Sequence, residues 1–119
     1  MNATIYHNPR CSKSRATLQL LNDNGVEPEI ILYLENPPTS AELSTILGLL
    51  EKKPQDIIRF KETKAVEFNL SATDDRSNDE WLELMAKNPT IIERPIVVVN
   101  NEKAAMGRPP ENVLSIIGK

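Results

Sequence analysis

His7-Asn8-Pro9-Arg10-Cys11-Ser12-Lys13-Ser14-Arg15 carries the only cysteine and the only histidine of the chain. A short apolar run, Thr4-Ile5-Tyr6, precedes it, and a helical pattern from Ala16 to Asn24 follows. That placement predicts a strand turning into a helix at Cys11. The first amides of such a helix lack carbonyl partners and carry partial positive charge, which favours a thiolate over a thiol. Arg10, Lys13 and Arg15 add three cations close in sequence to the sulfur. The competing reading is a small buried cysteine at a helix start, since free Cys is among the most buried residue types.

Working outward, Ala3–Tyr6 reads as a first strand, and Asn24-Gly25 closes the first helix. Glu29-Ile30-Ile31-Leu32-Tyr33-Leu34 is a β-rich run of buried-strand length. Strand, helix and strand in about 30 residues make a βαβ unit with a parallel pair. Asn36-Pro37-Pro38 ends it. Thr39-Ser40-Ala41-Glu42 and Ser77-Asn78-Asp79-Glu80 both match a capping box, in which the first side chain and the fourth bond each other's backbone amides. Leu43, Ile46, Leu47 and Leu50 follow the first at helical spacing, and Trp81, Leu84 and Met85 follow the second. Pro54 suits the first turn of a short helix, and a weak helix is expected within 62–70. Ile96–Val99 is the clearest strand. Asn100-Asn101 suits a tight hairpin turn, leading to a strand over about 102–106. Val113, Leu114, Ile116 and Ile117 bury a last helix. The fold class expected is α/β, a small mixed sheet with helices on both faces.

The composition bounds the function. With 119 residues, 39% hydrophobic and 26% charged, the chain fits one domain, 1–119, with one core. No apolar run approaches a membrane span, and Met1-Asn2-Ala3-Thr4 has no signal-peptide character. A net charge of −3 does not suggest nucleic-acid binding. A single cysteine allows no internal disulfide, and one His with one Cys makes no metal site. A reducing, cytoplasmic setting is expected.

Against the acidic total, Arg10, Arg15, Arg59, Arg94 and Arg108 fall at turns and boundaries. Singly each reads as a solvated surface residue. Together their planar forks would suit a tetrahedral oxyanion. A phosphatase-type Cys-x5-Arg loop is excluded, because position 17 is Thr17. His7 could serve the turn structurally, or help hold the thiolate and shuttle a proton. Ser12 suits a helix cap, and the Ser14 hydroxyl lies where it could return to the sulfur.

His7-Asn8-Pro9-x-Cys11-x-x-Ser14-Arg15, Tyr33-Leu34-Glu35-x-Pro37-Pro38-Thr39, Arg94-Pro95-Ile96-Val97 and Arg108-Pro109 together resemble the glutaredoxin-coupled arsenate reductase family. The resemblance spans nearly the whole chain. It implies a thioredoxin-like fold with a helical insertion at about 39–88, and a cis peptide before Pro95. It also implies that Cys11 is the nucleophile, that Arg59, Arg94 and Arg108 bind the oxyanion, and that His7, Ser14 and Arg15 surround the site. Arsenate is then the substrate, glutathione the co-substrate and glutaredoxin the protein partner. No bound cofactor and no membrane or nucleic-acid partner is implied. Two relatives of this fold define the alternatives: Spx-like regulators that bind RNA polymerase, and glutaredoxin-like thiol transferases. Ser14 stands where the thiol-switch regulators carry a second cysteine.

Overall fold

A computed structural model describes residues 1–118; Lys119, the last residue of the expected domain, lies outside them. The strands are β1 (Ala3–His7), β2 (Glu29–Leu32), β3 (Ile96–Val99) and β4 (Lys103–Met106). The α-helices are α1 (Ser12–Asp23), α2 (Ser40–Leu50), α3 (Thr63–Glu67) and α4 (Asn78–Lys87). Three 3-10 segments, Pro54–Ile57, Pro89–Ile91 and Pro110–Ile116, complete the elements. The chain divides into two compact units, one of Met1–Asn36 with the segment from Arg94 onward, the other Pro37–Glu93.

The first unit holds a four-stranded mixed sheet in the order β2-β1-β3-β4. β1 pairs in parallel with β2 and antiparallel with β3, and β3 pairs antiparallel with β4. Asn100 and Asn101 both sit at φ 55°, the left-handed region that Asn tolerates, in the three-residue turn between the paired Val99 and Lys103. Side chains alternate across β1, so Ala3, Ile5 and His7 share one face. Ala3 and Ile5 pack there with Val97 and Val99, under Leu21 and Val26 and under Val113 and Ile117 of the C-terminal segment. Both helical elements of this unit thus cover the same face. β3 is buried along its whole length, as its unbroken apolar run requires.

Two local expectations are corrected. β2 stops at Leu32, because Glu35 N and Asn36 N both donate to the Leu32 carbonyl and turn the chain away, at 2.9 Å each. β2 is also an edge strand rather than a buried one, with Ile30 48% exposed. α1 begins at Ser12, directly after Cys11 as expected, although its apolar periodicity sets in only a turn later. Its inward face opens with the small polar pair Ser14 and Thr17 and becomes apolar only at Leu21.

In the second unit both capping boxes form. Glu42 N donates to Thr39 Oγ1 at 3.1 Å and Thr39 N to Glu42 Oε1 at 3.0 Å. Ser77 and Glu80 repeat the exchange at 3.2 and 3.0 Å. α2 buries Leu43, Ile46 and Leu47. α4 buries Trp81, Leu82 and Met85, so Leu82 takes the inward place expected of Leu84. Phe60 meets the Trp81 ring edge-on at 6.0 Å, and the Arg76 guanidinium lies 5.5 Å from it. Among the described residues no helix is long and apolar enough to cross a membrane.

Candidate active site

Cys11 is the N-cap residue of α1, in extended conformation at φ −96° and ψ 123°. The Asn8-Pro9-Arg10 turn delivers it there: Cys11 N donates to Asn8 O and Arg10 N to Asn8 Oδ1, both at 3.0 Å. Arg15 N donates to Cys11 O at 3.0 Å and starts the helical ladder. The Cys11 sulfur thus sits at the helix start, where the Lys13 and Ser14 amides face it. Ser12, the expected cap, is exposed.

The arginines arrive by hairpin register. Ile96 pairs with Met106, so Arg94-Pro95 and Gly107-Arg108 flank the same end of the β3–β4 hairpin. Gly107 N extends the pairing by donating to Pro95 O at 3.0 Å. β1 pairs Tyr6 with Ile96, which brings the Cys11 loop to that same end. There Arg108 Nη1 lies 3.9 Å from Cys11 Sγ and donates to Arg94 O at 3.2 Å. The peptide before Pro95 is cis, and so is the one before Pro109, which no local pattern beyond the repeated Arg-Pro pair had signalled.

These groups set the thiol's acidity. Burial pushes Cys11 up; the Ser14 amide, the Arg94 guanidinium, the Lys13 amide and the Arg108 guanidinium pull it down and prevail. Its pKa therefore lies below that of an ordinary thiol. The expectation that Arg10, Lys13 and Arg15 supply the nearby charge is corrected. The cations acting on the sulfur are Arg94 and Arg108, and Lys13 contributes through its amide. Arg15 instead donates from Nη1 to Pro9 O at 2.9 Å, bracing the loop from outside.

His7 continues the inward face of β1 and is buried. Its Nδ1 is 2.6 Å from Ser14 Oγ, which also accepts from Asn8 N at 3.0 Å. The Ser14 hydroxyl therefore serves the loop rather than the sulfur, as had been expected of it; the Ser14 amide does that. Burial, and then the Arg15 charge, hold His7 below its ordinary pKa, so it is neutral at neutral pH. Arg59 belongs to the second unit, where Nη1 pairs with Glu62 Oε2 at 3.0 Å and donates to Thr90 O at 3.1 Å. Among the described residues no group of three or more His, Cys, Asp or Glu could hold a metal ion.

The chain can be compared with known proteins on this basis. Residues 6–116 match the ArsC family. The chain is 51% identical over 115 residues to YfgD of Escherichia coli, a protein named as uncharacterized, covering 96% of this chain and 95% of that one. It is 42% identical over 116 residues to an arsenate reductase of Neisseria meningitidis, covering 95% and 96%. The solved structure of an arsenate reductase from Vibrio cholerae superposes with a TM-score of 0.91 at 45% identity, covering 98% of each chain.

Proposed function

The chain belongs to the ArsC family, and from that premise we propose that it is an arsenate reductase that uses Cys11 as its nucleophile. The observation that carries the assignment to Cys11 is the acidified sulfur at a helix start with the Arg108 guanidinium 3.9 Å away. The surroundings favour two anions in turn. Before reaction they stabilise the thiolate; during it they offset the charge of a tetrahedral oxyanion, with Arg94 and Arg108 as the clamp.

The thiolate attacks arsenic, an As–S bond forms, and one oxygen leaves as water with protons from the acid arsenate and solvent. Reduction from As(V) to As(III) takes two electrons, hence two thiols. The chain has one cysteine, so the second thiol must come from outside. We assign it to glutathione. Arsenite leaves, and Cys11 remains as a mixed disulfide with glutathione, which glutaredoxin reduces. The single unprotected thiol suits a reducing compartment, and we place the protein in the cytoplasm.

The test is arsenate-dependent NADPH oxidation in the presence of glutathione, glutaredoxin and glutathione reductase. Turnover is expected with all components, and none in Cys11→Ser. Full turnover with thioredoxin alone would overturn the glutathione assignment. Absence of turnover with any oxyanion, together with capture of RNA polymerase, would replace the enzyme by a regulator.

A further inference from the structure

Thr17 and Gly107 meet where α1 crosses the segment that follows β4. Thr17 is fully buried, and its hydroxyl lies 2.8 Å from Lys13 O and 3.4 Å from Gly107 O. A Cβ built on Gly107 would overlap Thr17 Oγ1 and lie 2.7 Å from Pro95 Cγ and 3.0 Å from Thr17 Cγ2. Neither neighbour can yield cheaply: threonine is stiff at χ1 and proline is a ring. The backbone of Gly107 is thus pressed against α1 more closely than any other residue would allow. The Asn112 side-chain amide donates to Met106 O and to Arg108 O, both at 3.2 Å, so the residues on either side of Gly107 are also tied down.

We propose that Thr17 and Gly107 are positioning residues, a steric gauge that sets how near the Arg108 guanidinium comes to the Cys11 sulfur. Thr17 lies on the same inward face of α1 as Ser14, whose amide serves that sulfur. Arg108 is the residue next to Gly107. One rigid contact therefore fixes the spacing between the helix that presents the sulfur and the loop that presents the cation. The hydroxyl also satisfies the Lys13 carbonyl, so it ties the first turn of α1 to the gauge. The proposal rests on the reading that Arg108 acts on Cys11, and its readout does not depend on arsenate chemistry.

The experiment measures the rate of iodoacetamide alkylation of the full-length protein against pH, beside thermal unfolding. Gly107→Ala should move the inflection upward and slow alkylation at neutral pH by about two- to fivefold, because Arg108 is pushed away. Thr17→Ser keeps the hydroxyl and loses only the methyl, and should follow the unsubstituted profile. Thr17→Val puts a larger methyl where Oγ1 sits and should shift the profile in the Gly107→Ala direction. In an Arg108→Ala background, neither Gly107→Ala nor Thr17→Val should move the profile further. Should Gly107→Ala not fold, the Thr17→Val and Thr17→Ser pair decides. A loss of thermal stability with an unmoved profile, or the same shift with and without Arg108, would overturn the proposal and leave the contact as packing alone. If Arg108→Ala itself left the profile unchanged, the electrostatic role proposed for Arg108 would fail instead.

Discussion

Replacing Arg108 by alanine removes a guanidinium whose Nη1 lies 3.9 Å from Cys11 Sγ. Two unit charges at that range attract by about 1 kcal/mol in water and about 4 kcal/mol at an effective dielectric of 20. Arg108 is exposed while Cys11 is buried, so solvent screens the pair and the aqueous end applies. About 1 kcal/mol is roughly a fivefold change in the thiolate–thiol equilibrium. The sign follows from the charges: the cation favours the anionic thiolate, so its removal raises the pH at which Cys11 ionises. Below that inflection the alkylation rate tracks the thiolate fraction, and Arg108→Ala should react roughly fivefold more slowly. Well above it the two proteins should reach a common plateau. Higher ionic strength should narrow the difference, because the exposed partner is screened. Arg108→Lys should keep most of the alkylation rate but little arsenate turnover, since an ammonium lacks the planar fork. Superimposable profiles for Arg108→Ala and the unsubstituted protein would refute the electrostatic reasoning.

Other outcomes are equally open to measurement. His7 is held below its ordinary pKa, so the unfolded chain takes up its proton first as pH falls. Urea midpoints should be flat above about pH 6.5 and drop as pH falls from there through the folded-state value, with a shallower drop in His7→Gln; equal slopes would remove His7 as the cause. Intact mass after exposure to oxidised glutathione should show one glutathionyl addition in the native protein and none in Cys11→Ser. Thr39→Ala loses the N-cap of α2 and should cost about 1 kcal/mol in chemical denaturation. Trp81→Ala empties a fully buried site and should cost about 3–5 kcal/mol, while an unchanged midpoint would deny Trp81 its place in the core of Pro37–Glu93.

What the sequence revealed divides by range of interaction. The two capping boxes, the Asn100-Asn101 turn and the β3 run are settled by neighbours within a few residues, and all could be read directly. β2 looked buried because its residues are apolar, yet its edge position depends on which strands pair, and that is a long-range outcome. The inward face of α1 was hidden because its first two members, Ser14 and Thr17, are polar and carry no hydrophobic period. The acidified sulfur of Cys11 was legible from its helix start. The source of its activation was not: Arg10, Lys13 and Arg15 are close in sequence, whereas Arg94 and Arg108 are brought close by the hairpin register. Nothing in the local pattern around Gly107 marked it, because the need for glycine comes from Thr17 and Pro95, both distant in the chain.

The unit that holds Cys11 is split in sequence by Pro37–Glu93, and this orders events on the ribosome. Cys11 is made 97 positions before Arg108. β1 cannot pair with β3 until residue 99 has been made. The continuous segment Pro37–Glu93 has its own buried residues and is complete before β3 exists, so it is free to fold first. Until the hairpin closes, neither guanidinium that acidifies the sulfur has been placed. The nascent chain therefore exposes a thiol that lacks both guanidinium charges and is slower toward electrophiles than in the folded protein. The full acidity of the sulfur arrives only with the β3–β4 hairpin.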